Sequence, residues 1–278
     1  MISVVVCVKN EEARIEGCLE SIVNENPDEI VLVDGDSCDS TIDLAKKFSI
    51  KIINSKNSNL SRDRQKGIDA CRNDFIAMID ADHRLNPGDL KGLKEDLIDF
   101  NFDIVQAALK IKPMGFWCKG EKQYIDLILN NPGEKKMIGV APCLYRRKVF
   151  DFVKFDDNIT TTIDDTDFMY RLSKIGKFKI GTGHTQILSL HESGLLSYLR
   201  KFRWYGKGDG EFCVKNPERS LSMLFHLTIR YPIIYSVKSI MAGKLTSVPF
   251  VILQGVVRVF YLIVRFVELK FKRVSNHG

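Results

Sequence analysis

The sequence predicts an α/β protein built on a mostly parallel β-sheet flanked by helices. Short β-branched segments alternate with segments of helical periodicity, and four such strands fall within the first 82 residues. The 278-residue chain is 45% apolar and 27% charged, which is ordinary for globular proteins and sufficient for one large or two modest domains. Amphipathic C-terminal helices that associate with a membrane are predicted to follow the α/β part.

The first part of the chain repeats the order strand, turn, helix. Strands are predicted at residues 2–8, 29–33, 50–53 and 75–79 from their runs of apolar, largely β-branched residues. Helices are predicted to begin at Asn10, near Ser40 and at Ser61, because apolar residues recur there with a helical period. Open α/β sheets bind ligands where their strands end, so the turns after these strands are candidate sites.

The fourth strand runs directly into Asp80 and Asp82, with His83 next. Hard divalent cations take oxygen ligands and can bridge to phosphate, so this strand end suits a metal–diphosphate complex. Two solvated loop carboxylates before a helix are the alternative for such a short motif taken alone. The neighbouring motifs favour the metal site.

Two of these motifs lie near the preceding strands. Asp34 directly follows the second strand, where it could contact a nucleoside or serve only as a turn residue. Arg62, Arg64 and Lys66 lie close to a helix N-terminus, where the helix dipole disfavours cations. A phosphate bound nearby would explain these cations, and a solvated basic face is the alternative.

The second part of the chain contains another acidic cluster. Helices are predicted at residues 87–100 and 119–129, and strands at residues 103–111, 140–146 and 177–190. Asp164, Asp165 and Asp167 crowd the first turn of a further helix that ends at Gly176. Stabilisation of the helix start by the macrodipole is the alternative to a catalytic role for these residues.

The chain changes character after residue 197, which predicts an α/β domain at residues 1–197 and a basic, apolar helical region at residues 198–278. The second region contains 14 Lys and Arg against 4 Asp and Glu, and the first contains 27 against 31. Within residues 248–272 the polar residues almost all fall on one narrow helical stripe, which consists of Gln254, Arg258, Tyr261, Arg265, Glu268 and Lys272. A helix lying in the membrane interface is preferred, with a transmembrane hairpin and a protein-facing dimer helix as alternatives.

Several classes of protein are excluded or disfavoured. The chain has neither the Gly-x-Gly-x-x-Gly turn of dinucleotide-binding enzymes nor a P-loop. Its seven cysteines never form Cys-x-x-Cys, which argues for a reducing compartment and against a zinc site or a disulfide framework. The N-terminal apolar run reads as a strand and not as a signal peptide, so we expect the protein to start in the cytosol. Nucleic acid is not an expected partner, because the basic excess coincides with an apolar helix.

With these motifs in hand, the chain resembles the family-2 glycosyltransferases, which are inverting enzymes with the GT-A fold. The resemblance extends from residue 1 to about residue 210 and rests on the motifs at residues 4–12, 31–41, 64–67, 80–82 and 164–165. Residues 200–204 are similar to the Gln-x-x-Arg-Trp motif of processive members, but Arg200 replaces the Gln, which makes processive synthesis less expected. Gln65 and Asp164 also depart from the family pattern, which has Asn and Glu at these places.

The resemblance implies a role for each matching residue. The implied nucleotide-sugar contacts are Val8, Asn10, Glu12, Asp34, Arg64, Asp80 and Ala81. The implied ligands of Mn²⁺ or Mg²⁺ are Asp82 and His191. The general base would be Asp165, although the adjacent Asp164 is an alternative. The implied acceptor-side residues are Asp167, Arg203 and Trp204.

The resulting hypothesis is a glycosyltransferase on the cytoplasmic face of a membrane, peripheral or monotopic. It would move a hexosyl or N-acetylhexosaminyl group from a nucleotide-sugar, most simply a UDP-sugar, to a lipid-linked saccharide. One alternative is a polyprenyl-phosphate glycosyl synthase, for which no general base is essential. Another is an inactive nucleotide-sugar-binding or membrane scaffold protein. Homo-oligomerisation through the C-terminal helices is a further prediction.

Overall fold

The computed structural model describes residues 1–159 and 161–275, with the side chains of the last helix described up to residue 271. The chain divides into two compact units. The first consists of Met1–Ile111, Asn130–Thr160 and Asp164–Leu190, and the second of Lys112–Leu129, Thr161–Ile163 and His191–Gly278. The second unit therefore includes a helix from the middle of the chain, and the predicted domain division after residue 197 stays a prediction.

The described part of the first unit contains a nine-stranded mixed sheet. Its strands are β1 Ile2–Val8, β2 Glu29–Asp34, β3 Lys51–Asn54, β4 Phe75–Met78, β5 His83–Arg84, β6 Ile104–Ile111, β7 Gly133–Glu134, β8 Cys143–Arg146 and β9 Ile180–Ser189. They lie in the order β3-β2-β1-β4-β8-β6-β9-β5, and β7 also pairs with β9. The strands β3, β2, β1 and β4 pair in parallel, as do β6 and β9, whereas β8 runs antiparallel to both β4 and β6. The predicted α/β class is confirmed.

Helices cover both faces of this sheet. They are α1 Ile15–Val23, α2 Thr41–Ala45, α3 Leu60–Ala70, α4 Asp89–Asp99 and α6 Asp164–Ile175. The intervening helix, α5 Gly115–Ile128, belongs to the second unit. In β1, Val4 and Val6 belong to one buried cluster with residues of α1 and α4, while Val5 belongs to another with residues of α3 and α6. Successive side chains of a strand point to opposite faces, so an unbroken apolar run supplies both cores. Each such side chain contributes about 1.5–3 kcal/mol when fully buried.

Several predicted boundaries differ from the observed ones. The first helix begins at Ile15 and not at Asn10, because Asn10 has a left-handed φ of 57° and therefore cannot start a right-handed helix. The strand predicted at residues 140–146 is confined to Cys143–Arg146. The helix predicted at residues 119–129 already begins at Gly115, because Cys118, just before the predicted start, is buried and continues the packed face of the helix.

The described part of the second unit is helical. Its helices are α5 Gly115–Ile128, α7 Leu195–Lys215, α8 Ser220–Phe225, α9 Ser236–Met241 and α10 Ser247–Ser275. A π-helix at His226–Tyr235, which contains Pro232, joins α8 to α9. Proline lacks the N–H of a helical hydrogen bond, and the wider turn is a usual response to such a defect.

Helix α10 is long and apolar enough to cross a membrane, judged by length and composition only, over Ser247–Phe271 with a mean hydropathy of 2.0. The first part of its polar stripe faces the inside of the unit: Gln254 is 6% exposed, and Arg258 forms two 2.8 Å hydrogen bonds to the carboxylate of Asp209 on α7. Glu268, further along the stripe, is exposed, and the side chain of Lys272 lies outside the described residues. Its outer face consists of exposed apolar side chains, namely Ile252, Val256, Phe260, Ile263, Val267 and Phe271. This orientation is the reverse of that of a surface helix in a soluble protein.

Candidate active site

Two turns meet at the carboxyl ends of β1 and β2. Val8 and Asp34 are register partners on these parallel strands, so the turns leave the sheet side by side. Asn10 accepts a 2.9 Å hydrogen bond on Oδ1 from the N–H of Cys38, and its own N–H donates to Ser37 Oγ at 2.9 Å. Hydrogen bonds in both directions therefore tie the two turns together.

The acidic residues of these turns are partly engaged in the same network. Asp34 is 5% exposed, and its carboxylate accepts from the N–H of Ser37 at 3.2 Å. Glu12 Oε2 accepts from the N–H of Ser40 at 3.1 Å, while the N–H of Glu12 donates to Asp39 at 3.2 Å. The structure thus brings together, on adjacent turns, four of the predicted nucleotide contacts: Val8, Asn10, Glu12 and Asp34.

The Asp80–Asp82 turn follows β4, which is parallel to β1, and so lies at the same edge of the sheet. The side chains of Asp80 and Asp82 are 41% and 35% exposed, while Ala81 between them is buried. Side-chain ligand atoms of Asp80, Asp82 and His83 all lie within 4.8 Å of one another. The turn therefore presents two accessible carboxylates beside a buried imidazole.

His83 orients this turn. Its Nδ1 accepts a 3.0 Å hydrogen bond from the N–H of Asp80, so the proton of the neutral ring is on Nε2. That nitrogen lies 3.7 Å from Asp82 Oδ1. A protonated ring nitrogen has no lone pair to give a metal, so in this tautomer the carboxylates of Asp80 and Asp82 are the groups of the turn that could hold a cation.

The charge of this edge suits a divalent cation. Burial raises the pKa of Glu11 on the neighbouring turn, and although Arg14 opposes that rise, the negative charges of Asp82 and Asp80 add to it. Mg²⁺ and Mn²⁺ prefer carboxylate oxygens and commonly bind one or two of them together with substrate phosphates. The residues at this edge therefore fit the predicted cation.

Arg64 on α3 connects the two acidic motifs. It is 6% exposed, it forms a close ion pair with Asp164, and its Nη2 lies 3.6 Å from Asp80 Oδ1. Arg62 on the same helix lies 3.4 Å from Asp157. Two of the cations that the sequence places near this helix start are thus paired with carboxylates of this chain. Neither interpretation of these cations from the sequence, a bound phosphate or a solvated basic face, included such pairs.

The three aspartates of α6 have different surroundings. Asp164 is 3% exposed and engaged by Arg64, whereas Asp165 beside it is half-buried. Asp167 is fully buried and accepts a 2.7 Å hydrogen bond from Arg171 Nε one helical turn later. Burial leaves Asp167 no surface for an acceptor, so the structure offers no support for its predicted acceptor-side role.

A buried polar cluster surrounds Glu121 within the second unit. Its carboxylate lies 2.6 Å from His191 Nδ1, 2.6 Å from the hydroxyl of Tyr198 and 2.9 Å from Lys201 Nζ. Burial alone would raise the pKa of Glu121, but Lys201, followed by His191 and Tyr198, lowers it to about 2. The carboxylate favours a proton on Nδ1 and so makes Nε2 the nitrogen that could ligate a cation. The metal role of His191 stays a prediction.

The remaining acceptor-side residues lie on α7. Trp204 is 51% exposed, and Arg203 is exposed with its guanidinium 5.4 Å from the ring centre of Tyr261. An exposed indole and a guanidinium are suitable for stacking on a sugar or pairing with a phosphate. Their acceptor role stays a prediction.

Sequence reasoning missed two features that shape these sites. The pairing of Arg64 with Asp164 joins residues far apart in the chain, and no local pattern announces it. Glu121 could have been found, because it occupies an apolar position of a predicted helix, in step with Cys118 and Ile125. A charged residue at such a position is rarely buried without partners.

Comparison with known proteins identifies the family. The model of Glycosyl transferase family 2 matches residues 3–153, which is more than half of the chain. The chain belongs to glycosyl transferase family 2. The matched region contains the Asn10, Asp34 and Asp80–Asp82 turns, so the family assignment rests on the part of the chain that forms this sheet edge.

Curated relatives of this family-2 chain are also glycosyltransferases. An uncharacterized glycosyltransferase of Rickettsia typhi is 26% identical over 226 residues, which are 78% of this chain and 70% of the relative. The cholesterol galactosyltransferase of Borreliella burgdorferi is 29% identical over 117 residues, or 40% of this chain and 33% of that protein. Several other curated relatives match over less than a third of their own length.

Solved structures confirm the fold. A crystal structure of residues 1–349 of TarS from S. aureus, in complex with UDP-GlcNAc, superposes with a TM-score of 0.54 at 16% identity. The match covers 76% of this chain and 66% of the TarS chain. The central sheet with its flanking helices is therefore the predicted GT-A fold.

Proposed function

We propose that this family-2 chain is an inverting, metal-dependent glycosyltransferase that uses a UDP-sugar and a lipid-linked saccharide acceptor. The observation that carries the proposal is the accessible Asp80–Asp82 pair at the same sheet edge as the Asn10 and Asp34 turns. An inverting transfer needs a nucleotide pocket, stabilisation of the departing diphosphate and one general base. The first unit offers candidates for all three.

The donor would lie along the carboxyl ends of β1, β2 and β4. Asp34 and Asn10 have polar atoms near the end of the adjacent strands, where they are suited to hold a nucleoside. UDP is the proposed nucleotide because TarS, which shares the fold, is described in complex with UDP-GlcNAc. A hexose or an N-acetylhexosamine is the proposed sugar.

The departing diphosphate would be stabilised at the Asp80–Asp82 turn. A divalent cation held by these carboxylates would supply the positive charge that a leaving diphosphate requires. The buried Ala81 lies between the two carboxylates, and His83 holds the turn through the hydrogen bond that its Nδ1 accepts from the N–H of Asp80. Arg64 lies 3.6 Å from Asp80 and adds fixed positive charge.

Asp165 is the proposed general base that takes the proton from the acceptor hydroxyl. Asp164 is engaged by Arg64 in a buried ion pair, so its carboxylate already has a partner within the protein and little surface for an acceptor. Asp165 is the more accessible of the two. The roles of the two adjacent carboxylates would therefore be divided by their surroundings.

The acceptor is proposed to be lipid-linked because of the second unit. The outer face of α10 is apolar, as expected for a helix that lies in the interface of a bilayer at the cytoplasmic side. A relative from Borreliella is named for a lipid acceptor, cholesterol. Trp204 and Arg203 are the proposed acceptor-side contacts. Self-association through the same apolar helices is the competing use of this face.

The test is nucleotide release from a panel of UDP-, GDP- and dTDP-sugars with Mn²⁺ or Mg²⁺, using detergent-solubilised full-length protein. We expect metal-dependent hydrolysis of one UDP-sugar. Asp82→Ala should lower it by about 100-fold or more, because the diphosphate then loses its bound counter-charge. Asp99→Ala, which removes an exposed aspartate of α4, is the matched control and should behave as wild type.

Calorimetric titration of the same samples with UDP and GDP separates the possible failures. Binding of UDP without hydrolysis, even with lipid-linked acceptors present, would support the inactive nucleotide-binding protein instead. Hydrolysis that is equal in Asp82→Ala and in wild type would remove the metal role from this turn. Absence of any nucleotide binding would overturn the proposal.

A further inference from the structure

The helical segment Ser220–Met241 of the second unit has an apolar stripe of its own. Through α8, the π-helix and α9 the stripe recurs about every four residues and is exposed at each position: Leu221 82%, Phe225 50%, Ile229 36%, Ile233 52%, Val237 51%, Ile240 56% and Met241 82%. Single exposed apolar residues are normal on proteins, but a continuous stripe marks an interaction surface. An apolar stripe in this segment was not predicted from the sequence.

The opposite side of this segment is firmly packed, which fixes the direction of the stripe. Leu227 is fully buried, and Tyr231 is 6% exposed. The hydroxyl of Tyr231 lies 3.3 Å from that of Tyr124 on α5 and accepts a 3.3 Å hydrogen bond from Gln254 on α10. Rotation of the segment to hide its stripe would therefore break buried contacts with both neighbouring helices.

Cations lie next to the stripe. Arg230 and Lys238 are both exposed, and each directly follows a stripe residue, Ile229 or Val237, so each lies beside the apolar face. Residues 198–278 also contain 14 Lys and Arg against 4 Asp and Glu. An apolar face bordered by cations matches the interface of a bilayer, with acyl chains under the apolar side chains and anionic headgroups beside the cations.

We propose that Ser220–Met241 is a second lipid-contacting element, which inserts its stripe into the interface of an anionic bilayer in addition to α10. A second copy of this chain fits the surface less well. A symmetric contact through the stripe would bring Arg230 and Lys238 of two copies together, and like charges oppose association. The inference extends the membrane attachment proposed above and does not depend on the transfer reaction.

The experiment is co-flotation of the full-length protein with neutral phosphatidylcholine vesicles and with vesicles that also contain phosphatidylglycerol. We expect Phe225→Glu/Ile229→Glu to lower partitioning roughly tenfold or more on both vesicle types, because charge is placed in the apolar layer. We expect Arg230→Gln/Lys238→Gln to lower it about 30-fold on the anionic vesicles alone. Ser222→Glu/Thr228→Glu, which adds the same charge at exposed polar positions, is the matched control.

Donor hydrolysis in detergent, measured on the same samples, should equal that of wild type for all of these variants, since no altered residue belongs to the proposed active site. If no sample hydrolyses a donor, wild type included, the result would count against the proposed function. The flotation result would still test the lipid-contacting element. Wild-type partitioning of Phe225→Glu/Ile229→Glu would overturn the inference. A shift from dimer to monomer on sedimentation, without a change in flotation, would assign the stripe to self-association instead.

Discussion

At the scale of single residues, the surroundings of two adjacent carboxylates divide their roles. Asp164 and Asp165 are chemically identical neighbours, yet their burial differs: Asp164 is 3% exposed and forms a close ion pair with Arg64, whereas Asp165 is half-buried. A buried charge needs its partner much more than an exposed one does, because removal of one partner leaves the other uncompensated. We therefore propose that Asp164 orients Arg64 and that Asp165, the more accessible carboxylate, acts as the general base.

This division predicts opposite effects for two conservative variants. Asp164→Asn should lower the free energy of unfolding by about 3 kcal/mol, because Arg64 loses its close buried counter-charge. Asp165→Asn should leave stability near that of wild type and reduce sugar transfer by about 10²–10⁴-fold, the usual contribution of a general base. Chemical denaturation and steady-state kinetics measure the two quantities.

The same pair of variants distinguishes between acceptor classes. A lipid phosphate needs no deprotonation at neutral pH, so full activity of Asp165→Asn would favour a polyprenyl-phosphate synthase over transfer to a saccharide hydroxyl. If instead Asp164→Asn is the inactive but stable variant, the assignment of the base is wrong by one residue.

Glu121 predicts a specific dependence of stability on pH. Its folded-state pKa of about 2 lies below the ordinary value of 4.5, so the group stabilises the fold above pH 4.5 and loses this effect as the pH falls toward 2. The stability difference between wild type and Glu121→Gln should therefore shrink by about 3 kcal/mol over that range. Thermal unfolding at a series of pH values measures it.

Glu20→Gln, which changes an exposed glutamate of α1, is the control and should show a constant difference over the same pH range. A constant difference for Glu121→Gln as well would mean that Lys201, His191 and Tyr198 do not stabilise the charged carboxylate.

At the scale of elements, the second unit depends on close contact between α7 and α10. A Cβ atom at Gly206 would lie 2.6 Å from the carbonyl oxygen of Arg258, and one at Gly210 would lie 2.7 Å from that of Leu262. Glycines four residues apart let two helix backbones approach, an arrangement often used between helices in membranes. The approach also places Arg258 against Asp209 on α7.

We therefore expect Gly206→Ala to destabilise the second unit by about 1–3 kcal/mol, since a backbone oxygen cannot move aside as a side chain can. Gly194→Ala, at the start of the same helix, is the control because a Cβ there would have no atom within 4 Å. Unfolding in detergent by chemical denaturant measures both. Equal stability of the two variants would show that α7 and α10 are less tightly packed than the structure indicates.

The individual elements also show what local sequence can and cannot predict. The longer strands of the first unit and helices α4 and α10 were located to within a few residues, because their periodicity is strong and their flanks are polar. The two-residue strands β5 and β7 were not predicted, since they are too short to show a period. The turn at Asn10 was wrongly predicted to start a helix. The left-handed φ of Asn10 depends on hydrogen bonds to a turn that follows another strand, and local sequence does not show these. The π-helix around Pro232 has no such local pattern.

At the scale of the whole molecule, charge and hydropathy are distributed unevenly along the chain. The first 197 residues contain 31 Asp and Glu against 27 Lys and Arg, and the remaining residues are strongly basic. The acidic excess matches a unit that would hold a cation and a nucleotide. The basic excess, together with two exposed apolar stripes, matches a unit that would contact anionic lipid.

The sequence by itself determined the α/β class, the family and the set of residues at the sheet edge. These features follow from local patterns, because strand periodicity and the motifs that end each strand are written in consecutive residues. It also determined that a polar stripe runs along an apolar last helix.

Only the tertiary structure decided which way that stripe faces: its first part, Gln254 and Arg258, faces inward, and Arg258 pairs with Asp209. Only the tertiary structure paired Arg64 with Asp164 and placed Glu121 against His191. Each of these outcomes joins residues distant in the chain, and a buried charge can be matched to its partner only when the packing of the helices is known. The sequence thus predicts which groups are available, and the packing decides which of them remain available for chemistry.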